Sequence, residues 1–195
     1  MIYLASQSPR RAELLQQIGV SFHKLACEID ETPIPGEVPS EYVLRMAREK
    51  AATGWQELLT LDSPKMPLLA ADTTVVCNDQ ILGKPQSSDD ARRMLAMLSG
   101  STHQVMTAVA VTDGRQLQSE LSVTDVVFND LSSQLIDDYI ASGESTDKAG
   151  AYGIQGYGAV LVASMSGSYS AVVGLPLMET SRLLTQFNVP FWEAR

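Results

Sequence analysis

The sequence is poor in the residues that build zinc sites and histidine-dependent hydrolases. It has two cysteines, Cys27 and Cys77, and two histidines, His23 and His103. The cysteines form no CxxC pair, so a zinc site is not expected. Neither histidine accompanies a GxSxG-like nucleophile, which argues against serine–histidine hydrolysis.

Long apolar runs and basic residues are also scarce. No segment approaches the roughly 18 apolar residues that span a bilayer, and the first residues lack the pattern of a secretory signal. We therefore expect a cytoplasmic protein with free thiols and no membrane partner. Lys and Arg number 14 against 23 Asp and Glu, for a net charge of -9. This acidic balance argues against nucleic acid as a partner.

The familiar nucleotide-binding fingerprints are missing. No GxxxxGKS or GxxxxGKT phosphate loop occurs. Gly150, Gly153 and Gly156 recur every third residue, but they follow a charged loop rather than a strand, so they do not predict a dinucleotide site. Any phosphate site must be built differently.

The segment Leu68–Pro85 carries the clearest chemical pattern. An apolar run leads to Asp72, Asn78-Asp79 supplies a turn, and the return run ends at Lys84. This pattern predicts a strand, a tight turn and a second strand. It would place an acid and a lysine near each other at the mouth of a hairpin, suited to a phosphate and an activated water.

Strand and helix patterns alternate along the chain, with hairpins in the middle, which predicts a mixed α/β or α+β fold with a cleft between two lobes. The predicted strands are 2–5, 22–27, 68–85 as a hairpin, 103–112, 116–128, 159–164 and a short one within 167–172. The predicted helices are 12–18, 40–59, 88–98, 131–142 and 177–187. We expect one domain over residues 1–195, since no repeat or low-complexity tract divides it.

Cations and carboxylates stand at several of the predicted boundaries. Ser8 and Pro9 are suited to begin a helix beside Arg10 and Arg11, an arrangement that binds anions but is equally typical of a capped surface helix. Lys50 shares a helix face with apolar residues, which turns it toward a cleft. The carboxylates available are Asp30, Glu31, Asp72 and Asp147. Cations neutralise a polyphosphate and carboxylates hold Mg²⁺, so a small, highly charged substrate is favoured.

Several blocks together resemble the Maf family of nucleoside triphosphate pyrophosphatases. They are LASQSPRRAELL (4–15), AREKA (47–51), ADTTVV and LGKP (71–85), LSGSTHQVMTAV (98–109), GESTDKAGAYGIQG (143–156) and GSYSAVVGLP (167–176). They occur in the family's order over nearly the whole chain. In the last block Ala171 replaces the asparagine that is frequent in the family.

The resemblance implies two lobes around a deep cleft with a mixed twisted sheet, similar to inosine triphosphate pyrophosphatases. It implies hydrolysis between the α- and β-phosphates with Mg²⁺ or Mn²⁺ as cofactor, and a homodimer as the assembly common in the family. Asp72 matches the proton acceptor, and Asp72 with Glu31 matches the metal site, where Asp30 competes with Glu31. The matched substrate-binding residues are Ser6, Ser8, Arg10, Arg11, Lys50, Thr73, Lys84 and Gln155.

Base choice differs between branches of the family. Arg10, Thr73 and Gln155 match the branch acting on dTTP and UTP, whereas the branch acting on 7-methyl-GTP carries Trp, Gln and Glu there. The resemblance thus implies a dTTP/UTP pyrophosphatase that cleans the nucleotide pool, with modified pyrimidine nucleotides as further candidates. Two other interpretations are a nucleotide-binding regulator of cell division with little turnover, and an inosine or xanthosine triphosphate pyrophosphatase.

Overall fold

The computed structural model describes residues 1–192, so the last three residues of the predicted 1–195 domain lie outside it. The strands are β1 (Ile2–Ala5), β2 (Phe22–Lys24), β3 (Leu68–Cys77), β4 (Gln80–Leu82), β5 (Thr102–Thr112), β6 (Leu117–Phe128) and β7 (Val162–Ser166). The helices are α1 (Pro9–Gln17), α2 (Pro39–Thr60), α3 (Ser88–Leu98), α4 (Ser133–Ala141), α5 (Tyr169–Val173) and α6 (Leu177–Gln186), with 3₁₀ turns at Ala149–Ala151 and Gly156–Leu161.

The strands of the described chain form one open mixed sheet in the order β2-β1-β3-β5-β6-β7, and β4 pairs with β3. β1 runs parallel to β2 and β3, whereas the other pairings are antiparallel. The predicted mixed α/β class is confirmed. None of the described helices combines the length and apolar character needed to cross a bilayer.

Apolar side chains cover both faces of the sheet at β1 and β3. Leu69 and Ala71 face a cluster that includes Leu15 of α1 and Leu184 of α6. The alternate residues of β3 face a cluster with α2, through Met46 among others. A strand buried on both faces reads as a continuous apolar run, which is why Leu68–Ala71 shows no alternation. A third cluster joins α3, α4 and the far end of β3.

Helix α1 begins at Pro9, the first helical position that the Ser8 cap predicted, three residues before the apolar pattern of 12–18 starts. The Ser8 hydroxyl accepts a hydrogen bond from the backbone amide of Arg11, so Ser8 is the N-cap as predicted. Proline at the first position is already shaped for a helix. As a result, Arg10 and Arg11 extend from the first helical turn rather than from a loop.

The hairpin turn lies where the sequence placed it. Asn78 and Asp79 have φ of 49° and 59°, the left-handed region that both central residues of a type I′ turn require. However, β4 is short, and its pairing with β3 ends at Val75 opposite Leu82. Asp72 lies three residues before Val75, farther from the turn, and is opposite Ala108 of β5. The predicted juxtaposition of Asp72 and Lys84 across the hairpin is therefore not formed by strand pairing.

Three other predicted elements differ from the structure. The strand predicted over 22–27 stops at Lys24, and the strand predicted over 159–164 begins at Val162, after a 3₁₀ turn. The strand predicted within 167–172 is wrong, because this segment forms helix α5. Ser168 accepts a hydrogen bond from the amide of Ala171, and this cap outweighs the β-branched residues that suggested a strand.

Candidate functional site

A single cleft of about 920 Å³ brings the predicted site residues together. It opens at the carboxyl end of β1, where Ala5 pairs with Ala70, and along the part of β3 that continues past this pair. Ligand sites in α/β sheets form at such strand ends. The predicted residues that line it are Ser6, Ser8, Arg10, Arg11, Glu31, Lys50, Asp72, Thr73, Lys84 and Gln155.

Lys50 joins the two carboxylates of the site. Its Nζ lies 2.7 Å from Asp72 Oδ1 and 2.6 Å from Glu31 Oε1. The Lys50 and Asp72 side chains are 14% and 13% exposed, so this pair is shielded from water, whereas Glu31 is 53% exposed. Lys50 reaches the cleft from the buried face of α2, as its helical spacing predicted.

The surrounding charges act on both Glu31 and its neighbour Tyr42. Burial raises the pKa of Glu31, but the hydrogen bond from Lys50 and the charges of Lys50, Lys84 and Arg11 outweigh it, so the pKa is lowered overall. Burial, with the negative charges of Asp72 and Glu31, raises the pKa of Tyr42 to about 12. The Tyr42 hydroxyl donates to the carbonyl oxygen of Glu31 at 3.0 Å and fixes this segment against α2.

The two acidic candidates next to each other in sequence are separated by the fold. Asp30 accepts hydrogen bonds from the amide and hydroxyl of Thr32, at 2.9 and 2.6 Å, and is exposed. Glu31 instead contacts Lys50 beside Asp72. The geometry therefore favours Glu31 over Asp30 as the second carboxylate of the site.

Lys84 lines the cleft without pairing. Within residues 1–192 its ammonium forms no ion pair within 4.0 Å, and the side chain is exposed. The amide of Gly150 donates to the carbonyl oxygen of Gly83 at 3.1 Å, which fixes the end of the hairpin against the glycine-rich segment. Lys84 is thereby placed near Glu31 with its charge available to an anion.

The two adjacent arginines have different environments. Arg11 donates to Gly174 O (2.8 Å), Ser6 Oγ (3.1 Å) and Thr73 Oγ1 (3.2 Å). Burial lowers the pKa of Arg11, and the charge of Asp72 opposes this effect. Arg10 is more loosely held, 3.7 Å from Asp147. The family resemblance groups Arg10 with Thr73, whereas in the structure it is Arg11 that contacts Thr73.

The glycine-rich segment 143–156 forms one wall of the cleft and presents Gln155. The Glu144 carboxylate accepts hydrogen bonds from the amides of Tyr157 and Gly158, at 3.0 and 3.2 Å, and so closes the segment on itself. Gly150 has a φ of 68°, and a Cβ there would meet Val75 at 2.9 Å, so this close approach requires glycine. Gln155 is exposed in the cleft and can rotate toward a ligand.

The donor set can accommodate a divalent cation. Residues 1–192 contain no group of three or more His, Cys, Asp and Glu side chains arranged for a metal. Mg²⁺, however, is commonly bound by one or two carboxylates with substrate phosphates and water. Asp72 and Glu31 converge on the Lys50 ammonium, so they already face a common cation. Two carboxylates at this point fit that mode of binding.

Thr107 and His103 support the site although no local pattern in the sequence predicts a role for either residue. The Thr107 hydroxyl lies behind Thr73, 3.0 Å away, and only the strand register reveals it. His103 Nε2 lies 2.7 Å from the hydroxyl of Tyr152, a residue that lines the cleft. Burial lowers the pKa of His103 to about 4, so it is neutral and supports the wall. Cys27 and Cys77 are free thiols.

Comparison with known proteins agrees with these features. The model of the family described as Maf-like protein matches residues 1–187. A dTTP/UTP pyrophosphatase from Pseudoalteromonas atlantica is 54% identical over 189 residues, covering 97% of this chain and 98% of the relative. Proteins of the same name from Chromobacterium violaceum and Escherichia coli O157:H7 are 53% and 51% identical over 187 residues, covering 96% of this chain and 94% and 93% of theirs.

Proposed function

Because this chain belongs to the Maf-like protein family, we propose that it is a nucleoside triphosphate pyrophosphatase that hydrolyses dTTP and UTP to the monophosphate and pyrophosphate. The observation that carries the proposal is the contact of Lys50 with both Asp72 and Glu31, inside a cleft that Arg10, Arg11 and Lys84 also line. In a protein of net charge -9, such a concentration of cations selects a small polyanion.

The cations divide the work of holding the triphosphate. Arg11 is fixed by three hydrogen bonds and is already oriented, so binding a phosphate costs it little conformational entropy. Arg10 and Lys84 are less restrained and can adjust to the phosphate oxygens. Ser6 and the N-terminal turn of α1, capped by Ser8, add polar groups at the same end of the cleft.

Asp72 is the proton acceptor for the attacking water. Among the described residues its carboxylate accepts a hydrogen bond from Lys50 alone, through Oδ1, which leaves Oδ2 able to contact water. Lys50 holds the carboxylate in position from α2. A positioned carboxylate that takes a proton in the transition state contributes about 10²–10⁴ in rate.

Asp72 and Glu31 would hold the divalent cation, Mg²⁺ or Mn²⁺. When bound, such a cation supplies positive charge that polarises phosphoryl oxygens and offsets the charge developing on the leaving pyrophosphate. Lys50 ion-pairs with the same two carboxylates and keeps them in place before substrate arrives.

Arg10, Thr73 and Gln155 select the base. All three line the cleft, and a Gln amide with a Thr hydroxyl can match the donor and acceptor edge of thymine or uracil. We also assign the activity to the cytoplasm. Cys27 and Cys77 are free thiols, and the cytoplasm is a reducing compartment that keeps thiols free.

A nucleotide panel tests the proposal. The protein is incubated with dTTP, UTP, CTP, GTP, ITP, XTP and 7-methyl-GTP in Mg²⁺ or Mn²⁺, and pyrophosphate release is measured. We expect dTTP and UTP to be hydrolysed fastest. Tight binding without turnover would instead indicate a nucleotide-binding regulator, and a preference for ITP or XTP would indicate the purine-specific activity.

A further inference from the structure

Thr107 stands directly behind the base-selecting residue Thr73 without entering the cleft. The two residues are paired across β3 and β5, and their hydroxyl oxygens lie 3.0 Å apart. Thr107 is fully buried, and its Oγ1 lies 2.7 Å from the carbonyl oxygen of Ala171 in α5. A buried chain of polar groups thus runs from the cleft surface to the backbone of α5.

The two ends of this chain determine which way each proton points. At one end the Ala171 carbonyl can only accept, so the Thr107 hydroxyl donates its single proton there. Thr107 must then accept from Thr73. At the other end the Arg11 guanidinium can only donate, and it donates to Thr73 Oγ1 at 3.2 Å.

The hydroxyl hydrogen of Thr73 is therefore not available to a ligand in the cleft, because it is donated to Thr107. A hydroxyl has one donor and two acceptor lone pairs. The donor is directed to Thr107 and one lone pair receives Arg11, so one lone pair is left. Since Thr73 lines the cleft, a ligand that meets this hydroxyl finds an acceptor and no donor.

We propose that Thr107 is a positioning residue that determines base selectivity, because it holds Thr73 as a hydrogen-bond acceptor toward the nucleobase. The inference rests on the proposed pyrimidine nucleotide site. Uracil and thymine carry a hydrogen on ring N3, which an acceptor hydroxyl can receive. Cytosine in the same pose presents an unprotonated N3, so two lone pairs would face each other and binding would be disfavoured.

Ala171 stands where asparagine is frequent in the family, and this difference leaves the series of hydrogen bonds from Arg11 to α5 intact. The residue contributes its backbone carbonyl, and its own side chain is buried in the packing of α5. The polarity of Thr73 thus depends on the hydroxyl of Thr107 and on the position of α5, and not on the side chain at 171.

The test compares Thr107→Val with Thr107→Ser. Valine keeps the shape but removes the hydroxyl, so the Thr73 proton is free to turn toward the cleft and donate to cytosine N3. We expect the UTP to CTP ratio of kcat/KM to fall at least about tenfold in Thr107→Val. Thr107→Ser restores the hydroxyl and should keep the ratio within about twofold.

Thr112→Val is the matched control. Thr112 lies on the same strand, is 4% exposed, and its hydroxyl donates to Gln116 O at 2.8 Å, away from the cleft. This variant should keep the wild-type ratio. If Thr107→Val keeps it too, or loses activity equally on both nucleotides, the proposal is overturned. If Thr107→Val does not fold, Thr107→Cys, whose sulfur is only a weak acceptor for the Thr73 proton, must still lower the ratio.

Binding separates this proposal from the proposed function. The affinities of the α,β-methylene analogues of UTP and CTP are measured by calorimetry for the wild type and for Thr107→Val in Mg²⁺. A lower preference for the UTP analogue in the variant supports the role of Thr107, whether or not the wild type releases pyrophosphate. A wild type that releases none would refute the proposed pyrophosphatase activity. An active wild type with unchanged preference in the variant refutes Thr107 alone.

Discussion

Replacing Asp72 with asparagine separates catalysis from binding at this site. Asparagine has the same shape, and its Oδ1 can still accept from Lys50, but it cannot take a proton from water. Loss of a positioned proton acceptor lowers kcat by about 10²–10⁴. At about 1.4 kcal/mol for each factor of ten, the barrier rises by about 3–6 kcal/mol.

The stability cost of Asp72→Asn follows from the contacts of Lys50. At 2.7 Å and an effective dielectric constant of about 20, the Lys50–Asp72 attraction is about 6 kcal/mol before desolvation is subtracted. Lys50 keeps Glu31 at 2.6 Å, so its charge is not left unpaired. We expect the free energy of unfolding to fall by only about 1–2 kcal/mol, which lowers Tm by about 2–8 °C in a chain of this size.

Nucleotide binding should survive the same change. Removing a negative charge from a cleft that binds a polyanion favours the ligand, so the Kd for UTP measured without a divalent cation should stay constant or decrease. The assay measures pyrophosphate release at saturating UTP and dTTP, with Kd from calorimetry and Tm from thermal denaturation. Asp125→Asn, which changes a carboxylate on β6 that accepts from Gln104, is the control. A kcat near that of the wild type in Asp72→Asn would refute the assignment of Asp72.

Three further predictions concern the surrounding residues. Lys50→Met should raise the pKa of Glu31, which pairing with Lys50 lowers in the folded wild type. A carboxylate with a lowered pKa stabilises the fold above about pH 4.5, and this stabilisation is lost as the carboxylate is protonated. The difference in Tm between wild type and variant should therefore shrink as the pH falls below about 4.5. Arg11→Lys loses the hydrogen bonds of the guanidinium to three partners, so the free energy of unfolding in denaturant should fall by about 1–3 kcal/mol and KM should rise. The control is Arg92→Lys on the exposed side of α3, which should change the free energy of unfolding by less than about 0.5 kcal/mol. Gln155→Ala should alter the order of nucleotide preference with almost no change in Tm, because the side chain is exposed; an equal loss on every nucleotide would contradict its role in base selection.

Local patterns in the sequence predicted much of the fold because they depend on neighbouring residues. The Ser8 cap, the Asn78-Asp79 turn and the amphipathic helices follow from spacing and turn chemistry, and the structure has them. The prediction failed at α5, where short-range β propensity favoured a strand and a serine cap with packing against the sheet produced a helix.

The residue types of the site were also readable from the sequence, but their partners were not. Asp72 and Lys84 looked paired because one hairpin contains both. The structure pairs Asp72 with Lys50, because α2 packs across β3 and places its lysine beside the middle of that strand. In the same way, only the parallel pairing of β1 with β3 and the position of α5 decide that Arg11 contacts Thr73.

Composition and local spacing are enough to predict an acidic α/β protein with a few cations and carboxylates suited to a polyanion. Which of these side chains meet, and in which direction each hydroxyl donates, depends on how the strands and helices pack. The physical reason is that spacing along a chain fixes periodicity over a few residues, whereas hydrogen-bond polarity depends on groups such as Arg11, Thr107 and the Ala171 carbonyl, which strand register and helix packing bring together.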